Sequence, residues 1–299
     1  MKEIVVISGK GGTGKTSIAG CFAAMAKDAV VADCDVDAAD LHLILGPRIK
    51  EEHEFSGGKK ARIVTDKCRG CGRCAEVCEF GAVLVKDPKK SGLERRYVID
   101  EISCEGCGVC RYFCPFGAIE FEEAINGKWF VSQTRFGTML HAELGTGEEN
   151  SGKLVSLLRK EAKRRAEEEK KDLIIVDGSP GIGCPVIASL AGADFAVIVT
   201  EPTMSGLHDL RRVAELTKQL GVPAAVCINK YDINESKSAE IESDSSSKDI
   251  PVVGRIEYDK AVTEAQIKGV SVIEYTDGAV AGQIKDVWLR VLENMNIKQ

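Results

Sequence analysis

Short runs of apolar, largely β-branched residues recur along the chain and are separated by longer segments of mixed polarity. Runs of this kind are typical of strands that are covered on both faces, as in a parallel sheet. The runs are Ile4–Ile7, Ala29–Ala32, Leu173–Val176, Phe195–Thr200 and Ala224–Ile228. Because strands alternate with helical segments, the pattern predicts an α/β fold with a doubly wound, mostly parallel sheet. Ligands of such a sheet bind at the carboxyl ends of its strands.

One interval interrupts this alternation and holds most of the cysteine. Eight of the 12 cysteines lie between Cys68 and Cys114, and glycine-containing segments flank the interval at Gly57–Lys60 and Asn126–Lys128. We therefore predict a discontinuous domain over 1–58 and 126–299, with an inserted domain over 59–125. No apolar signal segment follows Met1, so we expect a cytoplasmic protein, in which cysteines serve metal ligation more often than disulfides.

The cysteine-rich interval is an internal repeat. Its two halves read C-x2-C-x2-C-x3-C, lie 36 residues apart, and are identical at 9 of the 18 positions from Cys68 to Val85. A zinc ribbon or a disulfide knot is the alternative interpretation. Zinc sites pair two C-x2-C elements, which leaves the third and fourth cysteine of each half without a role. The spacing favours iron–sulfur clusters.

The repeat resembles a bacterial two-cluster ferredoxin over about 60 residues. The resemblance implies an α+β domain with two [4Fe–4S] clusters and a fourth cysteine exchanged between the halves. The first cluster would be held by Cys68, Cys71, Cys74 and Cys114. The second would be held by Cys104, Cys107, Cys110 and Cys78. Glu79 stands where the ferredoxin pattern has a proline, which places a negative charge beside Cys78.

A second motif follows the first apolar run. Residues 9–16 read G-K-G-G-T-G-K-T, which is a G-x4-G-K-[ST] phosphate-binding loop between a strand and a helix. Glycines let the backbone N–H groups turn inward, and the helix adds its positive end. The predicted nucleotide-binding residues are Gly11, Gly12, Thr13, Gly14, Lys15, Thr16 and Ser17. Lys15 would bridge the β- and γ-phosphates, and the Thr16 hydroxyl would ligate Mg²⁺.

Lys10, directly after the first glycine, marks a variant of this loop. With it the chain resembles the MinD/ParA group of P-loop ATPases over Met1–Pro47 and Trp129–Gln299. The resemblance implies a Mg²⁺-dependent ATPase that forms a homodimer around two ATP molecules. In that dimer Lys10 would reach across to the phosphates of the partner.

The same resemblance assigns roles to polar residues that follow the predicted strands. Asp35 would position the attacking water. Asp33 and Asp177 would hold Mg²⁺, directly or through a water, because Mg²⁺ prefers oxygen ligands and keeps several waters. Asn229 would bind the adenine edge.

Cys184 is an isolated cysteine seven residues after Asp177. The nitrogenase iron protein, a member of the same group, has a bridging-cluster cysteine at this offset. Two copies of Cys184 could therefore meet across a dimer axis and hold a metal or cluster. The alternative is a small packing residue at the start of a helix.

Charge and hydropathy exclude two classes of partner. The chain has 46 acidic and 40 basic residues, a net charge of −6, which argues against general nucleic-acid binding. A basic segment at Leu157–Lys171 has acidic residues four positions after Lys163, Arg164 and Arg165, as expected of a solvated helix. No segment approaches the ~20 apolar residues of a membrane-spanning helix, so we expect no stable membrane insertion.

These observations predict an ATPase whose dimer switch is coupled to metal-cluster or cofactor assembly, with a client protein that receives a cluster or an electron. An ATP-gated, low-potential electron donor like the nitrogenase iron protein is the first alternative. A MinD/ParA-like positioning ATPase whose clusters sense redox state is the second.

Overall fold

The computed structural model describes residues 1–26, 28–86, 96–145 and 151–297. Its strands are β1 (Lys2–Ser8), β2 (Val30–Asp33), β3 (Arg48–Ile63), β4 (Val83–Lys86), β5 (Arg96–Ile99), β6 (Ile119–Thr134), β7 (Gly137–Leu144), β8 (Leu173–Pro180), β9 (Phe195–Thr200), β10 (Ala224–Asn229) and β11 (Val252–Ile256). Its helices are α1 (Lys15–Ala26), α2 (Leu41–Leu45), α3 (Arg73–Glu76), α4 (Val109–Tyr112), α5 (Ser151–Glu168), α6 (Cys184–Leu190), α7 (Met204–Gln219), α8 (Glu235–Ser246), α9 (Lys260–Ile267), α10 (Val272–Tyr275) and α11 (Ala279–Asn294). None of these helices is long and apolar enough to cross a membrane.

A nine-stranded sheet organises the fold in the order β11-β10-β9-β1-β8-β2-β7-β6-β3. Strand β1 pairs in parallel with β8 and β9, β10 with β9 and β11, and β2 with β7 and β8. The prediction of an α/β fold with a mostly parallel sheet is confirmed, and all five apolar runs form strands of this sheet. The other four strands of this sheet, β3, β6, β7 and β11, were not predicted.

The central strands are buried on both faces, which explains their continuous apolar runs. Ile4, Val6 and Phe22 are fully buried in one core with Trp288 of α11. The rings of Phe22 and Trp288 lie 4.9 Å apart, centroid to centroid. Because helices cover these strands, the polar residues that follow each strand are held at a rigid edge.

The described residues divide into two compact units. The first comprises Met1–His53, Trp129–Glu143 and Ser151–Gln299, and the second comprises Glu54–Lys128 and Leu144–Asn150. The predicted domain limits, at 58/59 and 125/126, therefore fall inside strands β3 and β6 and not in loops. Within the second unit the two predicted edges contact each other, since the Gly57 N–H donates to Asn126 Oδ1 at 2.7 Å.

The sequence repeat of the second unit is also a structural repeat. Helices α3 and α4 begin 36 residues apart, each preceded by a glycine with left-handed backbone: φ is 81° at Gly72 and 83° at Gly108. Equivalent backbone hydrogen bonds run from Val64 N to Ala118 O and from Asp100 N to Ala82 O. Strands β4 and β5 pair antiparallel. The two halves thus have the same local fold.

Helix α5 corrects one expectation about its basic residues. Arg164 pairs with Glu168 four residues on, as predicted. Lys163 instead pairs with Glu3 at 3.1 Å, and Arg165 pairs with Glu51. The helix packs against its own unit, so long-range carboxylates replace two of the expected i,i+4 partners.

Candidate functional site

The loop between β1 and α1 has the geometry of a phosphate-binding loop. Gly12 and Gly14 have φ of 78° and 90°, a conformation that glycine adopts without strain. A Cβ at Gly14 would lie 2.3 Å from Asn229 Nδ2. The loop therefore requires glycine at Gly14 for its close approach to Asn229 as well as for its backbone.

A cavity of about 1460 Å³, counted out to its open mouth, lies over this loop. Its lining includes nine of the predicted site residues: Gly11, Gly12, Thr13, Gly14, Lys15, Thr16, Ser17, Asp35 and Asn229. The lining also includes Glu257, Tyr258 and Gln266, and Gln266 Nε2 donates to Ser17 Oγ at 2.9 Å. A glycine-rich loop together with a mixed polar and apolar lining suits a nucleotide-sized ligand.

Lys15 lies among three acidic side chains, which belong to the end of β2, the segment after it and the middle of β8. Its Nζ is 2.6 Å from Asp177 Oδ1 and 3.2 Å from Asp35 Oδ2. Burial opposes the charged lysine, but Asp177 and Asp35 outweigh it and raise its pKa. Burial raises the pKa of Asp35, with Lys15 opposing. One cation thus balances several carboxylates that are largely buried.

Asp33 is fully buried and connects this site to the segment that follows β2. Burial, reinforced by Asp177, raises its pKa well above the usual range. Its Oδ1 accepts from Asp35 N and its Oδ2 from Leu41 N, both at 3.2 Å. A change in the charge or position of Asp33 therefore changes its hydrogen bond with Leu41, the first residue of α2.

Two buried polar atoms at the site fit a phosphate and a hydrated metal ion. Asp177 Oδ2 and Thr13 Oγ1 are enclosed and find no hydrogen-bond partner among the described residues. A carboxylate oxygen of this kind suits Mg²⁺ or one of its waters, and a threonine hydroxyl suits a phosphate oxygen. Thr16 Oγ1 lies 3.4 Å from Lys15 Nζ, on the same loop. The residues present therefore fit Mg²⁺ and a polyphosphate.

Lys10 is held within its own chain by residues that the sequence did not single out. Its Nζ lies 2.5 Å from Glu201 Oε1 and 3.1 Å from Ser205 Oγ. Lys230 shares Glu201 at 3.4 Å and donates to Gly12 O at 3.1 Å. Glu201 directly follows β9, and that position at a strand's carboxyl end is the one signal that could have drawn attention to it.

Asn229 braces the phosphate-binding loop. Its Nδ2 donates to Thr13 O at 2.7 Å, and its Oδ1 accepts from Lys230 N at 3.1 Å. The adenine role of Asn229 stays a prediction, since the structure adds this bracing contact and Asn229 still lines the cavity.

Two further cavities lie in the second unit, and each is lined by four cysteines. The first cysteine cavity, of about 330 Å³, is lined by Cys68, Cys71, Cys74 and Cys114. The second cysteine cavity, of about 350 Å³, is lined by Cys78, Cys104, Cys107 and Cys110. Each cavity thus takes three cysteines from one half of the repeat and one from the other. These are the two sets that the resemblance to a two-cluster ferredoxin implies.

The four cysteines of each cavity surround a space instead of meeting at one point. Among the described residues, no three His, Cys, Asp or Glu side chains converge on one point as a single metal ion requires. The four thiolates of a cube bind four different iron atoms at separate corners, so they surround a space and need not converge. All eight cysteines are free thiols. The Ala118 N–H donates to Cys114 Sγ at 3.4 Å, the kind of bond that tunes such ligands.

Cys184 is exposed, and α6 begins at this residue. Cys184 packs closely against Gly152, since a Cβ added to that glycine would lie 3.2 Å from Cys184 Cβ. The interface role of Cys184 stays a prediction. The structure does not bury Cys184 as a packing residue would be.

Comparisons with known proteins agree with this geometry. An uncharacterized protein of Methanocaldococcus jannaschii is 34% identical over 235 residues, which is 78% of this chain and 79% of that protein. A second uncharacterized protein of that organism is 26% identical and covers 93% of both chains. The solved structure of the septum site-determining protein MinD of Pyrococcus horikoshii, complexed with Mg-ADP, has a TM-score of 0.58 at 16% identity, covering 100% of this chain and 99% of that one. At that identity the similarity shows the fold.

The nucleotide-binding fold is also identified at the level of family. The match runs over residues 4–272 and therefore includes the phosphate-binding loop, the acidic residues around Lys15, and Asn229. It spans far more than half of the chain. The chain belongs to the CobQ/CobB/MinD/ParA nucleotide-binding domain family.

Proposed function

We propose that this chain is a Mg²⁺-dependent ATPase that couples a nucleotide-driven switch to metal-cluster or cofactor assembly, using two [4Fe–4S] clusters. The observation that carries the proposal is the pair of cysteine cavities, each lined by four cysteines drawn from both halves of the repeat. They occur in a chain that also has a complete phosphate-binding loop. A ferredoxin-like second unit explains both the repeat and the exchanged cysteine.

Hydrolysis would use the residues around Lys15. A bound polyphosphate competes with Asp177 and Asp35 for the Lys15 ammonium, which then neutralises the charge that develops on the transferred phosphoryl group. Asp35, released from Lys15, is free to orient a water molecule. Its raised pKa keeps its carboxylate basic enough to assist removal of a proton from that water.

Mg²⁺ would be held by oxygen atoms of this chain. The Thr16 hydroxyl is the direct ligand expected of this loop, and Asp33 and Asp177 would act directly or through metal-bound waters. The Asp177 oxygen that lacks a partner in the described residues supports this assignment. A divalent cation would also relieve the repulsion between Asp33 and Asp177.

Coupling to the second unit would begin at Asp33. Its contact with Leu41 N joins the metal site to α2, and the chain after α2 enters β3, which ends at Ile63 shortly before Cys68. A nucleotide-dependent shift at Leu41 would thus act on the segment that leads to the cysteines. The shift can transmit no more free energy than the difference between the two nucleotide states.

In the second unit, the two cysteine sets would each hold one cluster. Bound clusters of this type supply one-electron transfer and labile iron and sulfide. The chain's contribution is the eight thiolates, the left-handed glycines that curl the loops, and an apolar lining that limits water.

The proposed homodimer explains the remaining residues. Lys10 would exchange Glu201 for the phosphates of a partner's ATP, and exposed Cys184 would face its copy across the axis. Both steps need a second chain, so ATP would promote dimer formation.

The experiment combines the anaerobic full chain, loaded with iron and sulfide, with a cluster-free ferredoxin as acceptor and Mg-ATP or a non-hydrolysable analogue. ATP-dependent appearance of clusters on the acceptor supports assembly. ATP-dependent reduction of a viologen dye while the iron content stays constant would instead support the electron-donor alternative. Binding to DNA or anionic vesicles with ATP, without either reaction, would support positioning. The matched control is Lys15→Ala, which keeps all eight cysteines.

A further inference from the structure

The two cysteine cavities have similar folds but differ in the charge of their linings. Arg69 and Arg73 line the first cysteine cavity, and Glu105 is the charged residue among the described lining of the second. We infer that a cluster held by Cys68, Cys71, Cys74 and Cys114 has the higher reduction potential of the two. This inference rests on the proposed function, since it requires both clusters to be present.

The charge difference is built into the repeat. Arg69 and Glu105 occupy equivalent positions, 36 residues apart, and both side chains are exposed at the rims of their cavities. Arg73 is equivalent to Val109, so the second half has no counterpart to its charge. Arg73 forms an exposed pair with Glu76 at 3.2 Å, which offsets part of its field and leaves Arg69 as the main source of asymmetry.

Reduction adds a negative charge to a cluster. A nearby cation stabilises the reduced form and raises the potential, whereas a nearby anion lowers it. Arg69 therefore favours reduction at the first cysteine cavity, and Glu105 opposes reduction at the second. Glu79, directly after Cys78 of the second set, acts in the same direction as Glu105.

A tyrosine adds an independent difference of the same sign. Tyr97 lines the first cysteine cavity. Its Oη is close to Gly72, since a Cβ added to that glycine would lie 2.6 Å from it. The equivalent residue of the other half is Ala61, which lines the second cavity and has no hydroxyl. A hydroxyl beside a thiolate can donate to sulfur, and hydrogen bonds to sulfur raise cluster potentials.

Other properties of the cavities are nearly matched. Their volumes are about 330 and 350 Å³, and their remaining linings are mostly apolar. Cys74 is more buried than its equivalent Cys110, which on its own would favour the oxidised form at the first cavity. A small difference in exposure is a weaker effect than a reversal of unit charge at the rim.

The consequence is a direction of electron transfer within the second unit. An electron from an external low-potential one-electron donor that enters at the second cysteine set passes to the first, so the second is reoxidised as the first is reduced. The Arg69 side would therefore hold the electron at equilibrium. A partner that withdraws it from there would meet a basic rim.

The test is an anaerobic redox titration of the full chain, followed by EPR with dithionite and viologen mediators. Wild type is compared with Arg69→Glu, Glu105→Arg and the double variant. Lys218→Glu is the matched control, since it changes the net charge as Arg69→Glu does but lines neither cavity. Iron and sulfide are measured on every sample before titration.

We expect two potentials in wild type. Arg69→Glu should lower the higher one, with the reduced-to-oxidised ratio at fixed potential falling on the order of threefold, or ~30 mV for one electron. Glu105→Arg should raise the lower one, the double variant should narrow or invert the gap, and Lys218→Glu should leave both unchanged. Equal potentials, or an Arg69→Glu shift confined to the lower potential, would overturn this inference alone. Wild type without iron and sulfide would overturn the proposed function with it.

Discussion

Lys15 is the residue on which the nucleotide site depends. Three carboxylates act on it, and it contacts Asp177 and Asp35 directly. Removal of several carboxylates from water is unfavourable unless a cation balances them. Lys15 supplies that balance within the chain, and Mg²⁺ would supply more. The carboxylates that would bind Mg²⁺ therefore also determine how stable this part of the fold is.

Asp35 is the residue whose change should separate hydrolysis from binding. Asp35→Ala removes the carboxylate proposed to orient water but leaves the loop, Lys15 and Thr16 in place. We expect kcat for ATP hydrolysis to fall by about 100-fold or more. The Kd for ATP should stay the same or decrease, because Asp35 no longer competes with the phosphates for Lys15. Steady-state hydrolysis and calorimetric ATP binding measure the two quantities. Asp37→Ala, an exposed neighbour, should retain activity; equal losses in both variants would remove Asp35 from this role.

Asp33 makes stability depend on pH in a defined direction. Burial, with Asp177, raises its pKa, so the folded state binds a proton more readily than the unfolded chain. Stability without nucleotide or Mg²⁺ is therefore lost as the pH rises through the raised pKa. Asn at this position can accept from only one of the two backbone N–H groups, which costs stability at every pH. Relative to that constant loss, we expect the stability of wild type to fall towards that of Asp33→Asn as the pH rises, by on the order of 1 kcal/mol.

The measurement for Asp33 is denaturant unfolding of both proteins at each pH. Burial lowers the pKa of His141 to about 4, but that contribution is common to both proteins and cancels in the difference. Asp37→Asn is the control and should follow wild type. A difference between Asp33→Asn and wild type that does not shrink as the pH rises would contradict the account.

At the scale of single residues, the sequence identifies the site residues that lie near the ends of predicted strands. It does not identify residues that come into contact only through the tertiary fold. Lys15 and Asp177 lie 162 positions apart, yet the rule that strand ends share an edge brings them together. Glu201 and Lys230 hold Lys10 and the loop through side-chain geometry. That geometry leaves no local pattern in the sequence.

Helix α5 is anchored to the sheet by a buried ion pair. Arg159 donates to both carboxylate oxygens of Glu3 in β1, at 2.8 and 2.6 Å, and to the carbonyl oxygens of Ala188 and Ala191. Both charged side chains are almost completely buried. One guanidinium thus joins a helix, a strand and the end of α6.

Arg159→Ala should destabilise the protein strongly because it leaves Glu3 buried with only Lys163 among its described ionic partners. We expect the free energy of unfolding to fall by about 3 kcal/mol. Arg164→Ala on the same helix removes exposed pairs with Glu161 and Glu168 and should cost under about 0.5 kcal/mol. Denaturant unfolding of both variants measures the two losses of stability. Similar losses would mean that burial does not make the Arg159–Glu3 pair more important for stability than the exposed pairs of Arg164.

Gly106 is the element-scale test of the second cysteine set. Its φ is 63°, and an added Cβ would lie 2.0 Å from Lys59 O, a backbone atom that cannot move independently. Gly106→Ala should therefore distort the Cys104–Cys107 loop and reduce bound iron by about half, with ATP binding retained. Gly108 is the matched control: its φ is also left-handed, at 83°, but an added Cβ would have no described atom within 4 Å. Gly108→Ala should keep most of its iron, and equal iron in the two variants would contradict the assignment.

At the scale of elements, the sequence identifies strands that are buried on both faces. It misses β3 and β6, whose 16 residues each are rich in charged and polar side chains with little apolar alternation. Pairing with neighbours, a tertiary effect, makes these segments strands. The same effect explains why the glycine-containing segments Gly57–Lys60 and Asn126–Lys128 lie within strands, although such segments usually form loops.

At the scale of the whole molecule, the chain joins a family-typical nucleotide fold to a unit whose cysteines form two cavities. The fold could be predicted because its strands, loop and acidic residues are each typical of one architecture. The exchange of Cys78 and Cys114 between sets was implied by resemblance, and the lining of the two cavities supports it independently. The functional claim that unites the two units is coupling.

The most direct test of that claim is iron, sulfide and EPR analysis of the anaerobically purified chain, with and without Mg-ATP. We expect about eight iron and eight sulfide per chain, an EPR signal from reduced clusters, and a change in that signal with ATP that Lys15→Ala abolishes. Zinc in place of iron, or no bound metal, would contradict the cluster assignment. A signal that ATP leaves unchanged would contradict the coupling.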